Sequence, residues 1–131
     1  MAIENGVLDL AFTAGEDLSS FQYHFVHLAD NNSVDLMDGA TEFPIGVLQN
    51  APESGETAVV RVMGVSKVVA NDALAVGALV KAEYVGAADT GKADAADTDG
   101  DIARGVVVFA AGAENDVCSV LLITSKISVP A

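Results

Sequence analysis

Tryptophan is absent from this 131-residue chain, and aromatic residues make up only 5% of it. A large aromatic core is therefore excluded. A single cysteine, Cys118, rules out any intramolecular disulfide, and its setting in Val117-Cys-Ser-Val-Leu-Leu-Ile123 reads as a small buried hydrophobe rather than a nucleophile. Basic residues are few: six Lys and Arg against nineteen Asp and Glu leave a net charge of -13. A field of that sign repels phosphate backbones, and no Lys/Arg cluster is present to meet anionic lipid headgroups, so neither nucleic acid nor a membrane surface is an expected partner. No apolar run is long enough to span a bilayer. The opening Met-Ala-Ile-Glu-Asn-Gly has no basic n-region and no continuous apolar stretch, so no secretory leader is expected and synthesis in a host cytoplasm is.

What the chain does have is Val, Ala and Gly. Apolar residues reach 51%, and valine's branched Cβ suits a pleated strand. The length fits one domain able to bury a core without metal or disulfide support. Residues 1–20 read as an extended N-terminal arm with a short strand, and residues 21–131 as a single β domain. Phe-Gln-Tyr-His-Phe-Val-His-Leu, residues 21–28, reads as a strand with Phe21, Tyr23 and Phe25 on one face; the turn chemistry of residues 30–33 returns it through residues 34–37. Residues 43–50, 58–70, 79–85, 102–109 and 117–124 supply further strands, with Gly64 bulging the longest one and residues 126–131 an extended tail. Residues 86–100 contain no branched aliphatic or aromatic side chain and are expected to form an exposed loop. The expected fold is all-β, a small barrel or sandwich of about eight short strands. Gly46-Val-Leu and Gly105-Val-Val each open a strand, and the two stretches align without a gap as far as Val62 and Leu121. Two hairpins of common length account for that echo, with duplication as the alternative.

Catalytic and metal motifs do not survive inspection. Asp97-Thr-Asp-Gly-Asp101 resembles part of a calcium loop, but the alignment puts Ala95 at the first ligand position and Val106 where the bidentate Glu belongs. His24 and His27, the only histidines, point to opposite faces of a strand and cannot converge on one metal. There is no Gly-x-Ser-x-Gly elbow, phosphate-cradling loop or dinucleotide fingerprint. No enzyme, cofactor or metal is expected.

The stretch Phe43-Pro-Ile-Gly-Val-Leu-Gln-Asn-Ala-Pro-Glu-Ser-Gly-Glu-Thr-Ala-Val-Val-Arg-Val-Met-Gly-Val-Ser-Lys-Val, with Val-Gly-Ala-Leu-Val at residues 76–80 and Asp-Gly-Asp-Ile-Ala-Arg-Gly-Val-Val at 99–107, resembles the capsid decoration, or capsid cement, proteins of tailed bacteriophages. The resemblance covers roughly two thirds of the chain, through short elements of limited specificity. It implies a homotrimer on the outer capsid surface of the virion that binds the major capsid protein and stabilises contacts between its subunits. Another virion β module, such as a head-fibre base or tail component, is the alternative; a small trimeric β-fold enzyme is the more distant one. The unmatched arm is the expected contact with the shell, through Ile3, Val7, Leu8, Leu10 and Phe12 and by strand addition to a capsid-protein edge.

Overall fold

Valine-rich alternation, with Ala58, Val60, Ser66 and Val68 buried and their neighbours partly open, makes residues 57–69 the longest strand, and the other strands are arranged around it. The computed structural model describes residues 2–39, 42–86, 89–98 and 100–128. Among them are nine strands and no helix: β1 (Asn5–Ala14), β2 (Phe25–Asp30), β3 (Ser33–Leu36), β4 (Pro44–Leu48), β5 (Thr57–Val69), β6 (Leu79–Ala82), β7 (Ala93–Ala95), β8 (Ile102–Phe109) and β9 (Val117–Ser128). The fold is all-β, as expected. The strands join in the order β1-β3-β2-β4-β5-β9-β8-β6-β7, and β1 also pairs with β5.

That order encodes a repeat. β1 runs antiparallel to β5 and meets β3 in parallel at Ala14, which closes β1-β3-β2-β4-β5 into a ring. β5 then plays for the second half the part that β1 plays for the first. It runs antiparallel to β9, and Ala70, just past its end, forms a parallel bridge with Ala93 of β7, so β5-β7-β6-β8-β9 closes in the same way. The connecting bonds match one for one. Ala14 N–H donates to Glu56 O and Ala70 N–H to Asp116 O; Leu18 N–H donates to Pro52 O and Leu74 N–H to Ala111 O; Tyr23 N–H donates to Leu48 O and Gly77 N–H to Val107 O. Each ring has its own core. Ala14, Leu18, Val26, Val34, Leu48, Ala58 and Val60 fill the first, and their counterparts Ala70, Leu74, Val80, Ala93, Val107, Cys118 and Val120 lie in the second. Phe25, Met37 and Val47, on the opposite faces of β2 and β4 and just past β3, add to the second core, so the two rings pack back to back.

The glycine echo in the sequence belongs to this repeat, and the reading of two unrelated hairpins is corrected. A Cβ on Gly46 would lie 2.2 Å from Arg61 O and 2.8 Å from Val60 Cγ1; a Cβ on Gly105 would lie 2.3 Å from Val120 Cγ1 and 2.8 Å from Leu121 O. Both positions need glycine for the same close approach to the next strand. Left-handed backbone positions recur as well: Tyr23 (φ 67°) with Gly77 (φ 89°), Asn32 (φ 52°) with Gly91 (φ 83°), and Gly55 (φ 85°) with Asn115 (φ 71°).

Three local expectations change. The strand expected from Phe21 begins only at Phe25, because Tyr23 takes a left-handed conformation; Phe21 packs on the first core, Phe25 enters the second and Tyr23 lies under Lys67. The loop expected at 86–100 contains β7, with Ala93 fully buried and Lys92 nearly so. Small side chains and an ion-paired lysine can line a core that offers no room for branched ones. β9 runs on to Ser128, through part of the expected tail; residues 129–131 lie outside the described residues. Residues 5–14 of the expected arm form β1, hydrogen-bonded along β5.

Candidate surface and polar clusters

Strand alternation divides the residues of β1. Leu8, Leu10, Phe12 and Ala14 follow one another along one face and become steadily more enclosed: Leu8 and Leu10 are exposed, Phe12 is half-buried against the first core and Ala14 is buried. Val7, at 71% exposure, is the most open large apolar side chain among the described residues. Ile3 is exposed, but its backbone is fastened to β9, where Ser119 Oγ accepts from Ile3 N–H at 2.7 Å and donates to Ile3 O at 2.9 Å. Val7, Leu8 and Leu10 make the N-terminal half of β1 an exposed apolar strip, with exposed Ile3 just before it and Met63 paired with Leu8 across the ladder. Arg61 anchors the strip through a two-pronged bond to Asp9, at 2.8 and 3.1 Å, which holds the guanidinium's pKa above its ordinary value.

A second apolar surface escaped sequence reasoning. Val65, Leu121, Val106 and Leu79 are directly opposed in neighbouring strands and form one row across the outside of the second ring; Leu79 and Leu121 are exposed. Strands apolar on both faces read as doubly buried, which hides such a row.

Several reactive side chains are sealed or occupied. Cys118 is fully buried, its Sγ lies 3.4 Å from Val68 O, and burial pushes its thiol up to about 11. His24 is buried edge-on to Phe21, with Nδ1 2.6 Å from Thr90 O; burial lowers its pKa, and the carbonyl assigns the proton to Nδ1. Lys92 is held by Asp89 at 2.7 Å and Asn115 at 2.6 Å. Arg104, with 3% exposure, donates to Pro44 O at 2.8 Å, Ile45 O at 3.0 Å and Val62 O at 3.2 Å, and also to Ile123 O. It lies against the Phe43 ring, and burial lowers its pKa to about 10, so it stays charged at neutral pH.

His27 and His24 part company as expected, but His27 is not alone. Its Nε2 lies 3.4 Å from Glu42 Oε2, and Asp38 completes a group of three. Burial and the neighbouring Asp38 raise the Glu42 pKa. In the second ring, Lys81 meets Asp101 at 3.3 Å, and Asp101 also accepts from Thr98 N–H, so part of the calcium-like stretch is engaged internally. Asp99 lies outside the described residues. A cavity of about 260 Å³ is lined by Glu42 of the first pair and by Lys81 and Asp101 of the second, with Met37, Pro44 and Tyr84 among its other walls. Sequence spacing gives no sign of either pair, because Glu42 and Asp101 reach their partners from segments outside the strands.

No protein-family model matches the chain, and no curated protein matches it. Among solved structures, the chain is similar to the N base of head fiber gp8.5 of bacteriophage phi29, with a TM-score of 0.67 and 16% sequence identity, covering 93% of this chain and 98% of that one. At this identity the likeness establishes a shared fold.

Proposed function

We propose that this protein is a non-enzymatic structural component of a tailed-phage virion, seated on the outer surface of the head. The observation that carries the reading is the likeness in fold, over nearly the whole of both chains, to a phage head-fiber base. The resemblance of residues 43–69 to capsid decoration proteins supports the same location from the sequence side. On this reading the chain binds the major capsid protein, stabilises contacts between its subunits and acts as a homotrimer. A net charge of -13 keeps free copies apart before assembly. The contact assigned to the shell is the strip of Ile3, Val7, Leu8 and Leu10, with Phe12 contributing its exposed edge.

A head-fiber base is the second reading, favoured by what the fold neighbour is. Both place the protein on the head, and they differ in whether it covers the shell or carries a fiber.

Removing residues 2–12 would not test the contact cleanly, since that would strip β1 from β5 and open the first ring. Val7→Asp and Leu10→Asp charge the strip while keeping the strand. Mixed with purified undecorated heads, the parent protein is expected to co-sediment and the double variant to remain in the supernatant. Electron microscopy of the loaded heads separates the two readings, as a regular coat or as sparse sites. Failure of the parent protein to bind heads overturns both, and binding by the double variant overturns the assignment of the strip.

A further inference from the structure

The repeat makes it possible to compare one polar corner of the molecule with its own counterpart. Val26 faces Gly46 and Val80 faces Gly105, so the residues that follow them, His27 and Lys81, are equivalent. Across the ladder, His27 faces Asp35 and Lys81 faces Asp94. Four residues before each of the two glycines stand Glu42 and Asp101, which pair with His27 and Lys81 at 3.4 and 3.3 Å. The two corners therefore have the same acidic frame around different centres. Lys81 gives the second ring a fixed ammonium ion among carboxylates. The first ring has Asp38 and Glu42 beside an imidazole, which binds either a proton or a metal.

Two features of the first corner suit a metal. Ligand atoms of His27, Asp38 and Glu42 all lie within 4.8 Å of one another, which lets one ion reach all three. Glu42 is also held for the task, since Oε1 accepts from the N–H groups of Asp38 (2.8 Å) and Gly39 (3.1 Å), leaving Oε2 towards His27.

We propose that His27, Asp38 and Glu42 bind a divalent first-row transition ion, which ties β2 to the segment between β3 and β4 as the Lys81–Asp101 pair ties β6 to the segment before β8. One imidazole nitrogen with two carboxylates selects zinc-like ions over magnesium and calcium, which prefer all-oxygen sites. The remaining coordination positions are open to water.

The test is calorimetric titration of untagged, chelator-stripped protein with zinc chloride, and with magnesium and calcium chlorides in parallel. Thermal unfolding is followed with and without zinc. One equivalent of zinc is expected to bind and raise Tm. His27→Lys, which copies the second ring, should keep the fold and lose both effects, with zinc affinity falling at least about tenfold. Asp38→Asn, at an exposed position, should weaken zinc binding without disturbing the metal-free Tm. Absence of zinc binding by the parent protein overturns the proposal. So does zinc binding that survives both substitutions, or calcium binding as tight as zinc binding and indifferent to His27→Lys.

Discussion

The two rings share a plan of strands and differ in what fills equivalent places. The first is closed by β1, a strand used only once, and β1 carries an open apolar strip along its N-terminal half. The second is closed by β5, a strand already used by the first ring, and packs its core against the back of β2 and β4. Where the first ring has Ile45, directly before Gly46, the second has Arg104, directly before Gly105. The isoleucine packs on its own core, whereas the arginine crosses to the other ring and binds carbonyls of Pro44, Ile45 and Val62. Repetition supplies the frame, and departures from it join the halves or free a surface.

The largest effect should come from that crossing. Arg104→Met removes the donors from four carbonyls, three of them in the other ring, and leaves those acceptors short of partners in a buried seam. A loss of about 3–5 kcal/mol is expected, on the scale of breaking a buried charged network. Chemical denaturation measures it. A loss under about 1 kcal/mol, the size of one ordinary net hydrogen bond, would mean that Arg104 does not hold the rings together.

Next come the paired glycines. Gly46→Ala and Gly105→Ala should each cost about 1–3 kcal/mol through overpacking, with Gly46→Ala the worse. Its new Cβ would meet the backbone oxygen of Arg61 first, which cannot move without the strand, whereas the Cβ at position 105 meets the Val120 side chain first. Equal costs, or the reverse order in urea unfolding, would break the idea that the two positions share a role but not a degree of constraint.

Much of this frame was legible in the sequence. The edges of β8 follow from the apolar run between residues 102 and 109, and β4 and β5 from the Pro and Gly residues between them. The repeat was visible only from Gly46 and Gly105 onward, where the backbone contact dictates the residue. Elsewhere it survives as a conformation that different residues meet, as with Tyr23 and Gly77 or Gly55 and Asn115, and no side-chain pattern marks it. The core role of Ala93 and the near-burial of Lys92 were hidden by composition, because alanine and lysine give no strand signal. The exposed strip on β1 was legible as apolar residues without a match elsewhere. The corner around His27 was not, since Glu42 arrives there by a turn of chain that periodicity does not describe.

The smallest effects probe the left-handed positions, where the rings use different residues for one backbone shape. No atom stands within 4 Å of a Cβ at Gly77 or Gly55, so substitutions there report backbone conformation with no packing change. Gly77→Ala should cost about 1 kcal/mol, the penalty for placing an ordinary side chain at positive φ. Gly55→Asn should cost only a few tenths, about 0.3 kcal/mol, because asparagine tolerates this region. Its counterpart Asn115 already does so in the second ring at φ 71°. The reverse exchange is not symmetric. Asn115→Gly would relax the backbone but take the Oδ1 acceptor from buried Lys92, 2.6 Å away, and should therefore destabilise where Gly55→Asn barely registers. If Asn115→Gly stabilises instead, the side-chain bond to Lys92 is worth less than the strain of a left-handed asparagine, and the second ring keeps Asn115 for some reason other than stability.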